Sequence, residues 1–134
     1  MEIPPGLAVA VVVDDGRLLL IHRAAVEDSL AWALPGGKVE ARETAAEAAV
    51  REAQEEAGVS VEAIKSLGGR IHPDTGRHIT YVACRVLEGE AGAASPREVS
   101  AVDWVEFEQI PEYVPRGLYA PLLAYVAEGA GPGV

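Results

Sequence analysis

The sequence predicts a single α+β domain in which strands outnumber helices. Its 134 residues are the length of one domain, and a hydrophobic content of 49% is sufficient for a core of its own. Most apolar segments are short, rich in β-branched residues and bounded by Gly, Pro or Asp, as strands are. Helical spacing is found in two longer segments, and no internal repeat or linker divides the chain.

The N-terminal part is expected to begin with strands. Asp14-Asp15-Gly16 is a hairpin signal between two apolar runs. Pro35-Gly36-Gly37 is expected to turn sharply, and its backbone can approach a ligand closely because glycine has no side chain. The predicted elements are a Pro-rich lead-in at 1–6, a buried strand at 7–13, a return strand at 17–23, a loop at 24–30 and a short strand at 31–34.

The first helix is predicted at 44–57. Thr44 has Glu47 three residues later, which is the pattern of a capping box, and Gly58 is suited to end the helix. One side of this helix is apolar and can pack on a core. The apolar stripe comprises Ala46, Ala49, Val50, Ala53 and Ala57.

Carboxylates crowd another side of the same helix. Glu52, Glu55 and Glu56 are spaced i, i+3, i+4 and share one face, where like charges repel. One interpretation is a solvated face on which Arg51 pairs with Glu47 and Glu55. The other is a site for a hard divalent cation, Mg²⁺ or Mn²⁺, bound by carboxylate oxygens. Small residues on this face, expected to leave space beside the carboxylates, are Ala45 and Ala48.

The C-terminal part is expected to add three strands and a second helix. The predicted elements are a strand at 59–70 broken near Gly68-Gly69, a turn-rich loop at 72–76, strands at 78–87 and 99–106, and a loop at 88–97. Ile110-Pro111 is expected to stop the last strand. The second helix, at 117–128, is expected to have an apolar side of Leu118, Pro121, Leu122, Tyr125 and Val126. The tail at 129–134 is expected to be disordered.

Composition limits the classes of function. A formal net charge of −10 argues against a partner that is a nucleic-acid polymer or a membrane surface, and it opposes anionic ligands unless cations intervene. The single cysteine, Cys84, excludes an intrachain disulfide, fits the cytoplasm and is expected to be a core residue. The apolar run at 7–13 is too short for a membrane span and lacks the basic start of a signal peptide.

The residues around the helix form a motif with fixed spacing, G-x5-E-x7-R-E-U-x-E-E-x-G-U, where U is a bulky aliphatic residue. This motif resembles the Nudix box, and it favours the metal site over the solvated face. Ala53 stands where a larger aliphatic residue is usual. The resemblance extends over about 7–126, through the strand before Arg23, the entry at 32–37 and the late strand at 102–105. The matching positions are Gly37, Glu43, Arg51, Glu52, Glu55, Glu56, Gly58 and Val59.

The resemblance implies an α/β/α sandwich around a mixed sheet, and a hydrolase that cuts the pyrophosphate bridge of a nucleoside diphosphate linked to another group. It implies Mg²⁺ as cofactor, with Mn²⁺ as an alternative. Glu52, Glu55 and Glu56 are then the ligands, with the Gly37 carbonyl as a further ligand. Glu52 is also the residue expected to orient or deprotonate the attacking water.

Other residues are expected to support this site. Arg51 would hold the carboxylates in register, and Glu43, near the helix start, is expected to act behind them. Glu98 is the candidate for a carboxylate from a late loop, with a solvated loop residue as the alternative; Glu88 and Glu90 are weaker candidates. His72 and His78 are expected to be loop histidines. Expected substrate contacts are Arg23, Trp32, Gly36 and Gly37, with an edge-strand charge the alternative for Arg23 and a core position the alternative for Trp32.

Three classes of substrate or role are compatible with the motif. The first is hydrolysis of a nucleoside triphosphate, including oxidised dNTPs such as 8-oxo-dGTP, to the monophosphate and pyrophosphate; the short chain favours it by analogy. The second is hydrolysis of ADP-ribose, a nucleotide sugar or a dinucleoside polyphosphate. The third, a nucleotide-sensing module, is disfavoured because the motif retains all its carboxylates. A small nucleotide is the expected partner, and a homodimer is compatible with the sequence.

Overall fold

The computed structural model describes residues 5–23, 31–95 and 97–128. The predicted loop at 24–30, the tail at 129–134 and most of the lead-in lie outside the described residues. The strands are β1 (Leu7–Asp14), β2 (Arg17–Arg23), β3 (Trp32–Ala33), β4 (Gly36–Lys38), β5 (Ser60–Ile71), β6 (His78–Glu88) and β7 (Val99–Glu106). The helices are α1 (Ala45–Ala57), α2 (Ile110–Tyr113) and α3 (Ala120–Ala127), and a 3₁₀ turn, Phe107–Gln109, precedes α2.

A mixed sheet forms around β1. This strand runs parallel to β6 and pairs antiparallel with β2 only at the hairpin end, at Val13 and Asp14. The other half of β1 pairs with β4, so that Gly36 lies opposite Val9 and Gly37 opposite Ala8. On the outer sides β5 pairs with β6, whereas β3 and β7 pair with β2. The turn before the first helix is therefore held directly against the central strand.

Helices cover both faces of the sheet. Successive side chains of a strand point to opposite faces, so Ala8, Ala10 and Val12 of β1 pack in one core with α1. Val11 and Val13 pack in a second core with α3. The predicted α+β class and the layered sandwich are confirmed. Among the described residues, no helix is long and apolar enough to cross a membrane.

The ends of α1 form as predicted. The Thr44 side chain accepts the N–H of Glu47, the Glu47 side chain accepts the N–H of Thr44, and Gly58 is left-handed at φ 68°. The predicted faces are partly wrong, because Ala48 is fully buried in the core and leaves no space beside the carboxylates. The helix is rotated so that Glu56 also lies on the sheet side. The buried residues are Ala48, Ala49, Ala53, Glu56 and Ala57.

Several predicted boundaries are wrong for identifiable reasons. β5 is continuous through Gly68-Gly69, because shifts in its register with β6 absorb the irregularity. The segment 36–38, predicted as a turn alone, is a strand because β1 offers it a free edge. Ile110-Pro111 does not stop the last strand, because β7 already ends at Glu106 and Pro111 lies in the first turn of α2, where proline is tolerated. α3 begins at Ala120, three residues late, and Pro121 is exposed.

Candidate active site

Two glycines allow the turn before α1 to pack closely. A Cβ atom at Gly36 would lie 2.7 Å from the carbonyl oxygen of Ala8, so β4 could not approach β1 with any larger residue. A Cβ atom at Gly37 would lie 2.0 Å from Oε2 of Glu52. Both distances are shorter than real carbon contacts allow. The backbone at Gly37 and the carboxylate of Glu52 therefore occupy one compact site.

Glu56 is buried at the base of this site. Among the residues that the structure describes, it is the one charged side chain in the buried class, with 5% of the side chain exposed. Its Oε1 accepts the backbone N–H of Gly36 at 2.9 Å, and its Oε2 lies 3.5 Å from Nη1 of Arg23. Burial raises the pKa of Glu56, and these two partners oppose the rise. The carboxylate is thus fixed in position by groups from β4 and β2.

Arg51 ties α1 to the segment that precedes it. Its guanidinium donates two hydrogen bonds to Glu43, from Nε at 2.8 Å and from Nη2 at 3.0 Å. Nη2 also donates to the carbonyl of Lys38 at 3.0 Å. Nη1 lies 3.3 Å from the carboxylate of Glu52 and 3.4 Å from that of Glu55. These contacts place the Arg51 guanidinium between the carboxylates of Glu43, Glu52 and Glu55.

Among the ion pairs of Arg51, the one with Glu43 is the shortest, at 2.8 Å. The bidentate hydrogen bonds from Arg51, with the N–H of Glu40 at 3.0 Å, lower the pKa of Glu43 to about 2. The suggested pairing of Arg51 with Glu47 is wrong, because the Glu47 carboxylate is occupied in the capping box. Glu43 therefore contacts Arg51, which in turn contacts Glu52 and Glu55.

Glu52 experiences both burial and repulsion. Its side chain is 13% exposed, and burial is the main cause that raises its pKa. The charges of Glu55 and Glu98 raise the pKa further, whereas Arg51 lowers it. Glu98 also raises the pKa of Glu56. Four carboxylates from the helix and the late loop are therefore close enough to repel one another.

The late loop reaches the site because it caps the end of α1. The last carbonyls of a helix have no partner within the helix. Here the Ser95 hydroxyl donates to the carbonyl of Glu55 at 2.8 Å, and the N–H groups of Ala94 and Gly92 donate to the carbonyls of Glu56 and Ala57. The N–H of Glu98 then donates to the carbonyl of Ser95 at 2.8 Å. This docking carries Glu98 towards Glu52 and Glu56.

The donor set fits a hard divalent cation. Carboxylate oxygens are the ligands that Mg²⁺ and Mn²⁺ prefer. Burial is the main cause that raises the pKa of Glu52 and Glu56, and a cation would relieve the repulsion that raises it further. In the described residues, no group of three His, Cys, Asp or Glu side chains is placed so that it could already hold a metal ion. Glu55 is one reason that the carboxylates are not grouped, because its side chain is 53% exposed and its carboxylate is directed towards Arg51.

A cavity of about 650 Å³ adjoins the carboxylate site through Arg23. Arg23 is shared by the carboxylate site and the cavity, because it pairs with Glu56 and also lines the cavity. Trp32 is half-buried in the cavity wall, with the rings of His22 at 5.0 Å and Tyr113 at 5.1 Å in edge contacts. The Tyr113 hydroxyl donates in turn to Asp103. Trp32 is therefore held from two sides and still faces the cavity.

Sequence reasoning missed the far wall of this cavity. It is built from the end of β5, the following turn and the segment before α3, which are distant in sequence. No motif marks these residues, although alternate positions near the end of a strand could have suggested Arg70 and His72. His72 lies in the turn as expected, whereas His78 is the first residue of β6 and not a loop histidine. Glu88 and Glu90 are exposed at and after the end of β6. The missed lining residues include Arg70, His72, Asp74, Arg116 and Tyr119.

The family follows from the fold, the carboxylate site and a match over most of the chain. The NUDIX domain family model matches residues 4–125. The chain therefore belongs to the Nudix family, and it is a Nudix pyrophosphohydrolase.

Individual relatives agree with this assignment. A MutT-like protein of Streptomyces ambofaciens is 35% identical over 128 residues, which are 96% of this chain and 79% of the relative. The CTP pyrophosphohydrolase of Escherichia coli is 31% identical over 115 residues, which are 85% of this chain and 84% of the relative. Among solved structures, a NUDIX hydrolase from Nitrosomonas europaea has a TM-score of 0.81 at 24% identity, over 96% of this chain and 73% of the other, and shows a shared fold.

Proposed function

We propose that the protein hydrolyses nucleoside triphosphates to the monophosphate and pyrophosphate, with Mg²⁺ as the cofactor and Mn²⁺ as a substitute. The observation that carries the proposal is the position of Arg23, which joins a buried carboxylate site to a cavity with an aromatic wall. In this proposal the polyphosphate binds at the carboxylates and the nucleoside binds in the cavity. The single buried cysteine supports a cytoplasmic location.

The chain's own residues have distinct parts in the reaction. Glu52, Glu55, Glu56, Glu98 and the Gly37 carbonyl would hold the metal. When bound, the metal neutralises phosphate charge and lowers the pKa of a coordinated water. In addition, Glu52 accepts the proton of the attacking water, for which its burial and raised pKa are suitable.

Positioning is the task of the remaining residues. Arg51 holds Glu52 through Nη1 while Glu43 and the Lys38 carbonyl fix the rest of the guanidinium. The Arg23 guanidinium, next to Glu56, contacts a phosphate oxygen of the substrate. Trp32 stacks on the base, because its own ring is fixed by edge contacts that leave it in the cavity wall. Phosphoryl transfer depends mainly on such positioning and on charge neutralisation.

The triphosphate class is favoured over ADP-ribose, nucleotide sugars and dinucleoside polyphosphates. One relative with coverage over most of both chains is a CTP pyrophosphohydrolase, and its identity of 31% supports a shared substrate class. Oxidised dNTPs such as 8-oxo-dGTP belong to the same class.

The test is a substrate panel with colorimetric detection of phosphate. Each nucleotide is incubated with Mg²⁺, with and without inorganic pyrophosphatase; ADP-ribose and nucleotide sugars are assayed with alkaline phosphatase instead. We expect phosphate from triphosphates only when pyrophosphatase is present. Because pyrophosphatase itself needs Mg²⁺, the reaction in excess EDTA is followed by chromatography of the monophosphate, and we expect none to form. Phosphate release without pyrophosphatase would contradict cleavage to pyrophosphate. Full turnover in EDTA would contradict the metal requirement, and faster turnover of ADP-ribose would move the substrate to the second class.

A further inference from the structure

We propose that Arg70 reads the substrate base and selects guanine or cytosine over adenine and uracil. The inference rests on the proposed hydrolysis of nucleotides, and it names the base edge that the cavity recognises. It uses residues at the end of β5 and in the following turn, at a different part of the cavity wall from Arg23.

The Arg70 side chain is oriented by one hydrogen bond and leaves one edge for a ligand. Its Nε donates to the Tyr81 hydroxyl at 3.1 Å. Tyr81 is itself held by a stacked contact with Tyr119, at 4.5 Å between ring centroids and 16° between planes. Within the described ranges, neither Nη group of Arg70 has a hydrogen bond or ion pair. Because Nε is occupied, the guanidinium presents its two end N–H groups side by side at the cavity.

The adjacent turn is held by hydrogen bonds that define the roles of the two ring nitrogens of His72. Nδ1 of His72 accepts the N–H groups of Asp74 at 3.1 Å and Thr75 at 3.3 Å, so the ring proton is on Nε2. The N–H of His72 donates to the Arg77 carbonyl at 2.8 Å, which closes the turn. His72 and Asp74 both line the cavity with Arg70. The wall therefore offers a guanidinium fork, an imidazole N–H and a carboxylate acceptor.

This arrangement matches one of two patterns that bases display. Guanine presents N7, O6 and N1–H in order, and cytosine presents O2, N3 and N4–H; each is two adjacent acceptors followed by a donor. A guanidinium fork pairs with two adjacent acceptors. The carboxylate of Asp74 accepts from the donor beside them. Adenine and uracil instead place a donor between two acceptors. One N–H group of the Arg70 fork would then face a donor of the base and could not form a hydrogen bond with it. In 8-oxoguanine N7 carries a hydrogen, so the acceptor pair is lost.

A rival role for Arg70 is contact with a phosphate oxygen, since the lining contains further arginines. The two roles differ in their dependence on the base. A phosphate contact contributes equally for every nucleotide, whereas a base contact contributes only for guanine and cytosine. The geometry favours the base, because Arg23 already occupies the end of the cavity next to the carboxylates.

The test compares kcat and KM for GTP, CTP, ATP and UTP in the wild type and in Arg70→Lys, which keeps the charge and removes the fork. A good bidentate contact to a base corresponds to about tenfold or more in discrimination. We expect wild-type kcat/KM for GTP and CTP to exceed that for ATP and UTP by about tenfold. Arg70→Lys should raise KM by a similar factor for GTP and CTP alone, with kcat unchanged. The matched control is Arg77→Lys, in the same turn but outside the cavity lining, which should change nothing.

A second variant and a binding assay make the result independent of turnover. Tyr81→Phe removes the acceptor that orients Arg70. Like Arg70→Lys, it should raise KM for GTP and CTP. Binding of GMP, CMP, AMP and UMP is followed by Trp32 fluorescence in a Trp104→Phe background, without metal. A wild type that hydrolyses no nucleotide but binds GMP or CMP preferentially would refute the activity and support the base contact. Equal kcat/KM for all four bases, or an equal loss for all four in Arg70→Lys, would overturn the base contact.

Discussion

The change Glu52→Gln tests the chemistry of the site most directly. It keeps the side-chain volume, which matters because Oε2 of Glu52 packs only 2.0 Å from the position that a Cβ of Gly37 would take. Loss of a general base typically lowers the rate by about 10²–10⁴-fold, and a disturbed ligand set adds to that loss. We therefore expect kcat to fall by roughly 10³-fold or more.

The same change should leave the metal-free fold intact. Burial and the charges of Glu55 and Glu98 all disfavour an ionised Glu52, so a neutral side chain removes a repulsive term. Arg51 loses one contact at 3.3 Å but keeps its two hydrogen bonds to Glu43. We expect the melting temperature in EDTA to be unchanged or slightly raised.

Steady-state phosphate release and thermal melting with EDTA measure both effects on one preparation. Glu55→Gln is the matched control, because its carboxylate is 53% exposed and its loss should cost less. If kcat for Glu52→Gln falls by less than about tenfold, Glu52 is neither the base nor an essential ligand. A drop of several degrees in the metal-free melting temperature would instead identify Glu52 as a structural residue.

Three further results are expected. Glu98→Gln should lower kcat far less than Glu56→Gln, because Glu98 is exposed on a loop whereas Glu56 is buried and fixed; equal losses on folded samples would make Glu98 an equal member of the site. The depressed pKa of Glu43, about 2 against an ordinary 4.5, contributes stability that is present above pH 4.5 and lost as the pH falls towards 2. Acid titration should therefore show a smaller loss over that range in Glu43→Gln, and identical curves would exclude the contribution. Burial raises the pKa of Cys84 to about 12, so a thiol reagent at pH 8 should label it only after unfolding in urea, and rapid labelling of the native protein would contradict its burial.

Local sequence signals predicted the parts of the structure that depend on neighbours in the chain. The ends of α1 are an example, because Thr44, Glu47 and Gly58 interact within one turn of where they stand. The Gly36–Lys38 strand could not be predicted in this way, since it exists only because half of β1 lacks β2 as a partner. Of the two partners that the solvated-face interpretation gave Arg51, Glu55 is a partner and Glu47 is not. The choice of Glu43 over Glu47 depends on how the segment 38–43 folds back.

The cavity could not be predicted from the sequence, for a similar reason. Its walls combine β2, β5 and the segment before α3, and their meeting depends on the whole sheet. One contact illustrates the distance involved: the Tyr119 hydroxyl donates to the carbonyl of Gly69 at 3.2 Å. A Cβ at Gly68 would lie 2.9 Å from the same hydroxyl, so the glycine in β5 makes room for a residue about fifty positions later. Motif matching identified the carboxylates, but only the fold brings together the residues that line the cavity.

The late loop docks on the end of α1 through Ser95, and a substitution there can separate the placement of Glu98 from its charge. Ser95 donates to the Glu55 carbonyl at 2.8 Å and accepts the Glu98 N–H on its own carbonyl. Ser95→Ala removes one side-chain hydrogen bond, worth about 0.5–1.5 kcal/mol. If this bond serves to place Glu98, Ser95→Ala should lower kcat about two- to tenfold, the same free energy expressed as a rate.

A double-mutant cycle with Glu98→Gln provides the decisive measurement. Once the carboxylate is gone, its placement no longer matters, so Ser95→Ala should cause no further loss of kcat in the Glu98→Gln background. The melting temperature of Ser95→Ala should fall similarly in both backgrounds, because the capped carbonyl of α1 is the same. Losses of kcat that simply add would show that Ser95 acts through the helix end and not through Glu98. The late loop would then be a cap for α1 whose carboxylate lies near the site without depending on that cap.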